Sequence, residues 1–141
     1  MDIGISHPEG SQLKVEPYFA PSSCRPSDPA GYQLGELWNV SIPIYNVGSV
    51  LIDECILRVD YTGQHIDDEW HSWHNVTAYG SNWYEAECKN IIEGGGPSGG
   101  GRSIIQPEDV DRGYIQVTAT VKWIDPDSGN ERTATGTVSG K

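Results

Sequence analysis

The stretch of the chain with the greatest chemical potential is "HIDDEWHSWH", residues 65–74, which holds three histidines, three carboxylates and two tryptophans. Imidazole nitrogens and carboxylate oxygens bind zinc when four of them converge in tetrahedral geometry. His71 and His74 are three residues apart, and on a loop or strand this spacing does not guarantee convergence. The stretch also lacks the HExxH pattern that places two histidines on one helix face. It therefore favours a contact surface formed by Trp70, His71, Trp73 and His74 over a transition-metal centre.

A carbohydrate platform is the second chemistry that this region could supply. Apolar faces of sugars stack on aromatic rings, while amides and carboxylates bind the hydroxyl groups. The rings that could serve are Trp70, Trp73, Trp83 and Tyr84. Tryptophan also fills the core of small β-sandwiches, because each ring removes a large apolar area from water. A glycan ligand and a core role both stay open.

A calcium site is the third candidate, at "DPDSGNE", residues 125–131. Asp125, Asp127 and Asn130 offer the oxygen ligands that this hard cation prefers. The twelve-residue EF-hand loop is absent, and a tight hairpin turn explains the same residues, with proline after the first aspartate and glycine later. Calcium is the one metal retained, as a weak candidate, and the sequence implies no other cofactor.

Three cysteines occur, Cys24, Cys55 and Cys88, and none belongs to a CxxC motif. The odd count permits one disulfide and one free thiol. Cys55 and Cys88 each lie in a strand-like run, so we predict a Cys55–Cys88 disulfide. Three reduced thiols are the alternative, because the sequence does not show which side chains are close together.

The charge of the chain excludes several classes of partner. Its formal net charge is −11, and its nine basic residues are scattered. Phosphate binding needs lysine and arginine in clusters, so we expect no binding to nucleic acid or anionic lipid. No apolar run approaches the roughly 20 residues of a membrane span, and the first residues lack the features of a signal peptide.

The elements that must position these residues are predicted to be strands. "LWNVSIPIYN" and "YIQVTATVKWI" alternate apolar and polar residues with a period of two, as "CILRVDY" does, and "ERTATGTV" reads as a threonine-rich strand. Pro43 cannot donate a ladder hydrogen bond, so we expect an edge, a bulge or a strand end there. One short helical turn is predicted at "QPEDVDRG", residues 106–113, from Pro107 to Gly113. Short strands separated by turns at this spacing predict a sandwich of two antiparallel sheets.

Two segments depart from the strand rhythm. Residues 20–31 are rich in proline and serine, and residues 93–103, "EGGGPSGGGRS", predict a flexible loop. The glycine-rich loop does not end in the Lys-Ser/Thr pair of a phosphate-binding loop. Residues 65–103 as a whole, rich in tryptophan, histidine and glycine, are interpreted as an insertion into the sandwich.

Two motifs resemble a known family. "YQLGELWNVSIPIYNVGSVLIDECILRVD" and "QPEDVDRGYIQVTATV" resemble the conserved-repeat domain of bacterial and archaeal surface proteins, and "TATGTVSG" is similar to its closing strand. The matching positions are Gly35, Glu36, Asn46, Gly48, Asp60, Asp109, Val110, Asp111 and Gly113. The resemblance implies an immunoglobulin-like β-sandwich without catalytic residues, often repeated in tandem as the stalk of a secreted or wall-anchored protein.

The combined prediction is one all-β domain, residues 1–141: an immunoglobulin-like antiparallel β-sandwich with the insertion at 65–103. Its predicted role is that of a non-enzymatic structural or adhesive module, extracellular at the cell surface, whose partners are neighbouring domains or subunits of a surface assembly. A phage virion decoration protein, on the virion surface, is the first alternative. A carbohydrate-binding module that uses Trp70, Trp73 and Trp83 is the second.

Overall fold

The computed structural model describes residues 12–19, 34, 37–63, 76–92, 94 and 98–140, which form nine β-strands and one short α-helix. In chain order the elements are β1 (Leu13–Val15), β2 (Tyr18–Phe19), β3 (Leu37–Asn46), β4 (Ile52–Tyr61), β5 (Val76–Tyr79), β6 (Trp83–Ile91), β7 (Ser98–Ile104), α1 (Pro107–Arg112), β8 (Ile115–Ile124) and β9 (Glu131–Gly140).

The strands pair into two sheets in which every pair is antiparallel. In the first sheet, β1 and β2 follow one another along one edge of β3, and β7 pairs with the opposite edge. The second sheet has the order β5-β6-β4-β8-β9. The two sheets enclose one apolar core, so the all-β immunoglobulin-like sandwich predicted from the sequence is confirmed.

The core is built from alternate positions of the long strands, as the period of two predicts. Three buried aromatic rings, together with the partly buried Phe19 beside them, contact one another in a chain. Phe19 lies 6.3 Å from Trp38, Trp38 lies 5.7 Å from Tyr61, and Tyr61 lies 6.3 Å from Tyr84, measured between ring centroids. Trp38 and Tyr84 are the two bulkiest fully buried side chains, and isoleucine, leucine and valine fill most of the remaining core.

Pro43 lies inside β3, where its partner strand is interrupted between β1 and β2. The backbone N–H of Glu16 donates to the Pro43 carbonyl at 3.3 Å, and Pro17 follows directly. Pro43 has no N–H with which to return this hydrogen bond to Glu16, so the ladder breaks there. The interruption occurs in the neighbouring strand, whereas β3 itself continues past the proline.

The predicted helical turn is confirmed as α1. Pro107 occupies the first turn, where its missing N–H is not needed, and Gly113 ends the helix at φ 86°. In the described ranges, no helix is long and apolar enough to span a membrane.

The strands in the described part of residues 65–103 are members of the two sheets and do not form an insertion outside the sandwich. β5 and β6 complete one side of the second sheet, and β6 pairs with β4 over most of its length. Most of β7 also falls in this segment and pairs with β3 from Leu37 to Pro43. Residues 98–103 of the glycine-rich segment, predicted to be a loop, therefore form a strand, and the interpretation of 65–103 as an insertion is corrected for the described residues.

Candidate functional site

Most of the predicted contact surface lies outside the described residues. Trp70, His71, Trp73 and His74 all fall in the range 64–75, so their role stays a prediction. Trp83 and Tyr84, the other two members, lie at the start of β6 and are described.

Tyr84 was predicted to form part of a binding surface, and its burial corrects that prediction. Its side chain is 0% exposed and packs against Tyr61 in the aromatic core. Successive residues of a strand point to opposite faces, so Trp83 points out where Tyr84 points in. Burial also raises the pKa of the Tyr61 hydroxyl well above its ordinary value, although its hydrogen bond with Tyr84 acts in the opposite direction. Both tyrosines are core residues.

Trp83 is half-buried on the outer side of the second sheet, where its ring already has partners. The guanidinium carbon of Arg58 lies 4.6 Å from the ring centroid, a cation–π contact. Gly80 also packs so closely against the ring that a Cβ there would lie 2.3 Å from the indole nitrogen. Arg58 also pairs with Asp60 at 3.1 Å. A sugar stacking on the face under Arg58 would have to displace the guanidinium, so the contacts of Trp83 are primarily structural.

The weak calcium candidates form the hairpin turn between β8 and β9. Asp125 is buried, and its two carboxylate oxygens accept hydrogen bonds from the Asp127 backbone N–H and from Arg132, both at 3.0 Å. The Asn130 carbonyl accepts the Asp125 N–H at 2.9 Å, and its own N–H donates to Ser128. The hydrogen bond from the Asp127 N–H, with help from Arg132, lowers the pKa of Asp125 below its ordinary value. The hairpin interpretation thus accounts for these residues, and no group of three potential metal ligands occurs among the described residues.

Asp109, in the second motif of the family resemblance, also has a structural role. It is fully buried, and one of its oxygens accepts the Gln106 backbone N–H at 2.8 Å. Its other oxygen pairs with Arg112, whose guanidinium carbon lies 5.3 Å from the Tyr114 ring centroid. A carboxylate at this position closes the first turn of α1 and ties its end to the chain that enters β8.

Asn46 is the residue whose importance the sequence showed least clearly. It is 0% exposed, and its amide nitrogen donates to the carbonyls of Val50 at 2.9 Å and Ile91 at 2.8 Å. Its side-chain oxygen accepts the Gly48 N–H at 3.1 Å. One buried amide thus closes the β3–β4 turn and joins it to the end of β6. The Asn-x-Gly pattern in the first motif was the available signal.

Cys55 and Cys88 face each other directly across β4 and β6, as the predicted pairing requires. Both side chains are buried, and both cysteines are free thiols in this structure. The side-chain proximity that the sequence could not establish is therefore present, whereas the predicted covalent bond is not.

The longest open strand edge in the described part of the chain belongs to β9. It pairs with β8 along ten residues, and no described strand pairs with its other edge, although the backbone of β1 packs closely against β9 at Gly136. Its first two residues are charged, and the remaining eight, 133–140, contain no charge and no proline. Thr133, Thr135 and Thr137 are exposed on its outer face.

Comparison with known proteins gives a fold and no family. No family model matches the chain, and no curated protein matches it. The full-length major pilin SpaD of Corynebacterium diphtheriae is similar in structure, with a TM-score of 0.57 and 10% identity over 91% of this chain. The alignment covers 35% of the pilin, so this chain spans about a third of its length.

Two further solved structures are similar to this chain. Cep-1 of C. elegans, solved for its DNA-binding domain, has a TM-score of 0.50 and 10% identity over 90% of this chain and 88% of its own. The CARDB domain of the PF1109 protein from Pyrococcus furiosus, in complex with di-metal ions, has a TM-score of 0.45 and 17% identity over 92% and 93%. That last likeness is too distant to argue from. A pilin and a DNA-binding domain share this sandwich, so the fold alone does not decide the function.

Proposed function

We propose that the chain is a non-enzymatic structural module of a bacterial or archaeal cell surface, held in place by contacts with neighbouring domains or subunits. The buried charged side chains of the described residues support this role, because each has a structural partner. Asp109 closes α1 and Asp125 closes a hairpin. The formal net charge of −11 argues against the nucleic-acid binding that a DNA-binding domain of the same fold performs.

The open edge of β9 is the observation that carries the proposal. An edge strand presents N–H and C=O groups that can pair with a strand of another protein, and monomeric proteins usually protect such edges with charge, proline, bulges or short length. β9 has none of these features over residues 133–140. A neighbouring domain or subunit can therefore add a strand there, with backbone hydrogen bonds supplying the affinity.

The opposite edge of the same sheet is protected, which makes the contrast informative. β5 has only four residues, and its pairing with β6 shifts register between Val76 and Ala78. Short length and a bulge are two of the common ways to prevent strand addition. We therefore assign the neighbour contact to β9 and not to β5.

The likeness to the SpaD pilin supports a role as one part of a longer surface chain. The alignment covers about a third of that pilin, so a sandwich of this kind occurs there as one portion of a longer subunit. The resemblance to conserved-repeat domains points to the same kind of architecture.

Site-specific crosslinking in the cells that produce the protein tests this proposal. A photoreactive amino acid replaces Thr135 on β9, and the matched control carries it at Thr77, an exposed position on β5. We expect irradiation to link the Thr135 variant, and not the Thr77 variant, to other cell-surface domains. Equal crosslinking at both positions, or adducts with cytoplasmic proteins alone, would contradict the proposal.

An adhesive contact through residues 65–74 is the finer part of the proposal. The prediction rests on the composition of that stretch, and Trp83 provides a matched control because Arg58 already contacts its ring. Binding of the labelled protein to polysaccharides and cell envelopes should fall in the Trp70→Ala and Trp73→Ala variants and persist in folded Trp83→Ala. Loss of polysaccharide binding in folded Trp83→Ala as well as in the other two variants would instead support the carbohydrate-binding alternative, which uses all three tryptophans.

A further inference from the structure

The two buried cysteines meet the positional requirements of a disulfide. Cys55 and Cys88 are directly opposed on neighbouring antiparallel strands. Opposed residues in such a pair have Cα atoms about 4.5–5.5 Å apart, and disulfides span about 4.4–6.8 Å between Cα atoms. The two side chains are close enough to affect the acidity of each other, so the disulfide would join strands that are already paired.

Their surroundings block reagents from the folded protein. Cys55 is 3% exposed and Cys88 is 1% exposed, and both belong to the hydrophobic core. Trp123, also buried, lies opposite Cys55 on the other side of β4. A disulfide reagent can reach either sulfur only when β6 separates from β4 or before these strands have paired.

We propose that Cys55 and Cys88 form a disulfide while the chain folds in an oxidising compartment, and that a chain folded with both thiols reduced is protected from later oxidation. The oxidant is a small-molecule or protein disulfide of the thiol–disulfide exchange class. One cysteine thiolate attacks the oxidant, breaks its S–S bond and releases one thiolate, which leaves a mixed disulfide. The second cysteine thiolate then attacks the protein sulfur and releases the other half. Two electrons pass to the oxidant, both thiol protons are lost, and one S–S bond joins β4 to β6.

The acidity of the two thiols agrees with protection in the folded state. The hydrogen bond with Cys88, together with burial, raises the pKa of Cys55, while the same hydrogen bond lowers the pKa of Cys88. Exchange needs a thiolate as the nucleophile, and the folded surroundings disfavour the thiolate of Cys55. In the unfolded chain both thiols return to ordinary acidity, and closure during folding is favoured.

Refolding of the full chain in a glutathione redox buffer tests the proposal. The product is alkylated and cleaved after glutamate, which places each cysteine on its own peptide. Glu36 and Glu54 separate Cys24 from Cys55, and further glutamates separate Cys55 from Cys88. We expect a linked Cys55–Cys88 peptide pair, an alkylated Cys24, and, before alkylation, a product lighter than the reduced chain by two hydrogen atoms. Its melting temperature should exceed that of the reduced protein by roughly 10 °C.

A second experiment addresses protection. The reduced protein, folded first and then placed in the same buffer, should form the disulfide at least roughly 100-fold more slowly than the chain does on refolding. Three results would overturn the inference: free Cys55 and Cys88 after oxidative refolding, a linkage that involves Cys24, or equal rates in the two experiments. The Cys88→Ala variant lacks one partner of the disulfide. Its melting temperature should therefore be the same after refolding in the glutathione buffer as after refolding under reducing conditions.

Discussion

Removing the side chain of Asn46 should destabilise the sandwich more than any exposed substitution, because one amide satisfies three backbone groups. The Asn46→Ala variant loses the bonds to the carbonyls of Val50 and Ile91 and the bond from the Gly48 N–H. Each such bond contributes about 1 kcal/mol, and a buried group left without a partner costs about 1–3 kcal/mol. Water can reach the part-buried Val50 side, so we expect a total loss of about 3 kcal/mol in the free energy of unfolding.

Urea denaturation measures this loss. The midpoint should fall with an unchanged slope, since the surface exposed on unfolding stays the same. Asn82→Ala, in the exposed turn before β6, is the matched control and should change the stability by less than about 0.5 kcal/mol. Asn46→Asp should be worse than Asn46→Ala at neutral pH, because it places a carboxylate oxygen against two carbonyl oxygens. A loss below about 1 kcal/mol for Asn46→Ala would show that the Asn46 amide does not hold the β3–β4 turn against the end of β6.

Two further predictions concern the close contact of β1 with β9 and the β8–β9 hairpin. A Cβ at Gly136 would lie 2.1 Å from the Val15 carbonyl oxygen, so Gly136→Ala must separate the backbones of β1 and β9. Thermal unfolding should show a loss of about 2–4 kcal/mol in the free energy of unfolding. A neutral outcome would mean that β1 does not pack there. The lowered pKa of Asp125 means that its folded pKa lies below its unfolded value, so its stabilisation is present above about pH 4 and is lost as the pH falls through the folded pKa. The stability difference between the wild type and Asp125→Asn should therefore shrink on acidification, and a difference that grows toward low pH would contradict the assigned hydrogen bonds.

The fold was largely readable from the sequence because the long strands follow a period of two. The alternation in residues 37–46 and 115–124 places the buried side chains where the structure has them. Pro107 and Gly113 likewise predict both ends of α1, since each has a specific conformational reason to stand there. These signals are local, so they need no knowledge of distant partners.

Features that depend on distant partners were not readable in the same way. The segment 98–104 is rich in glycine and has no apolar alternation, and it forms a strand because β3 offers a ladder of backbone partners. Tyr84 lies in an aromatic stretch typical of a surface platform, yet its position in β6 places its side chain on the face of the sheet that points into the core. Asn46 acts through Ile91, a residue 45 positions away. Only the paired sheets bring these groups together.

Surface labelling of intact producing cells is the most direct test of the proposal that the chain is a cell-surface module. An antibody raised against the folded chain is applied, with a gold conjugate, to intact cells and to permeabilised cells. We expect labelling on intact cells that permeabilisation does not increase, because the proposed module lies outside the membrane with its neighbours. Labelling that appears only after permeabilisation would place the protein inside the cell and contradict its assignment as a surface module.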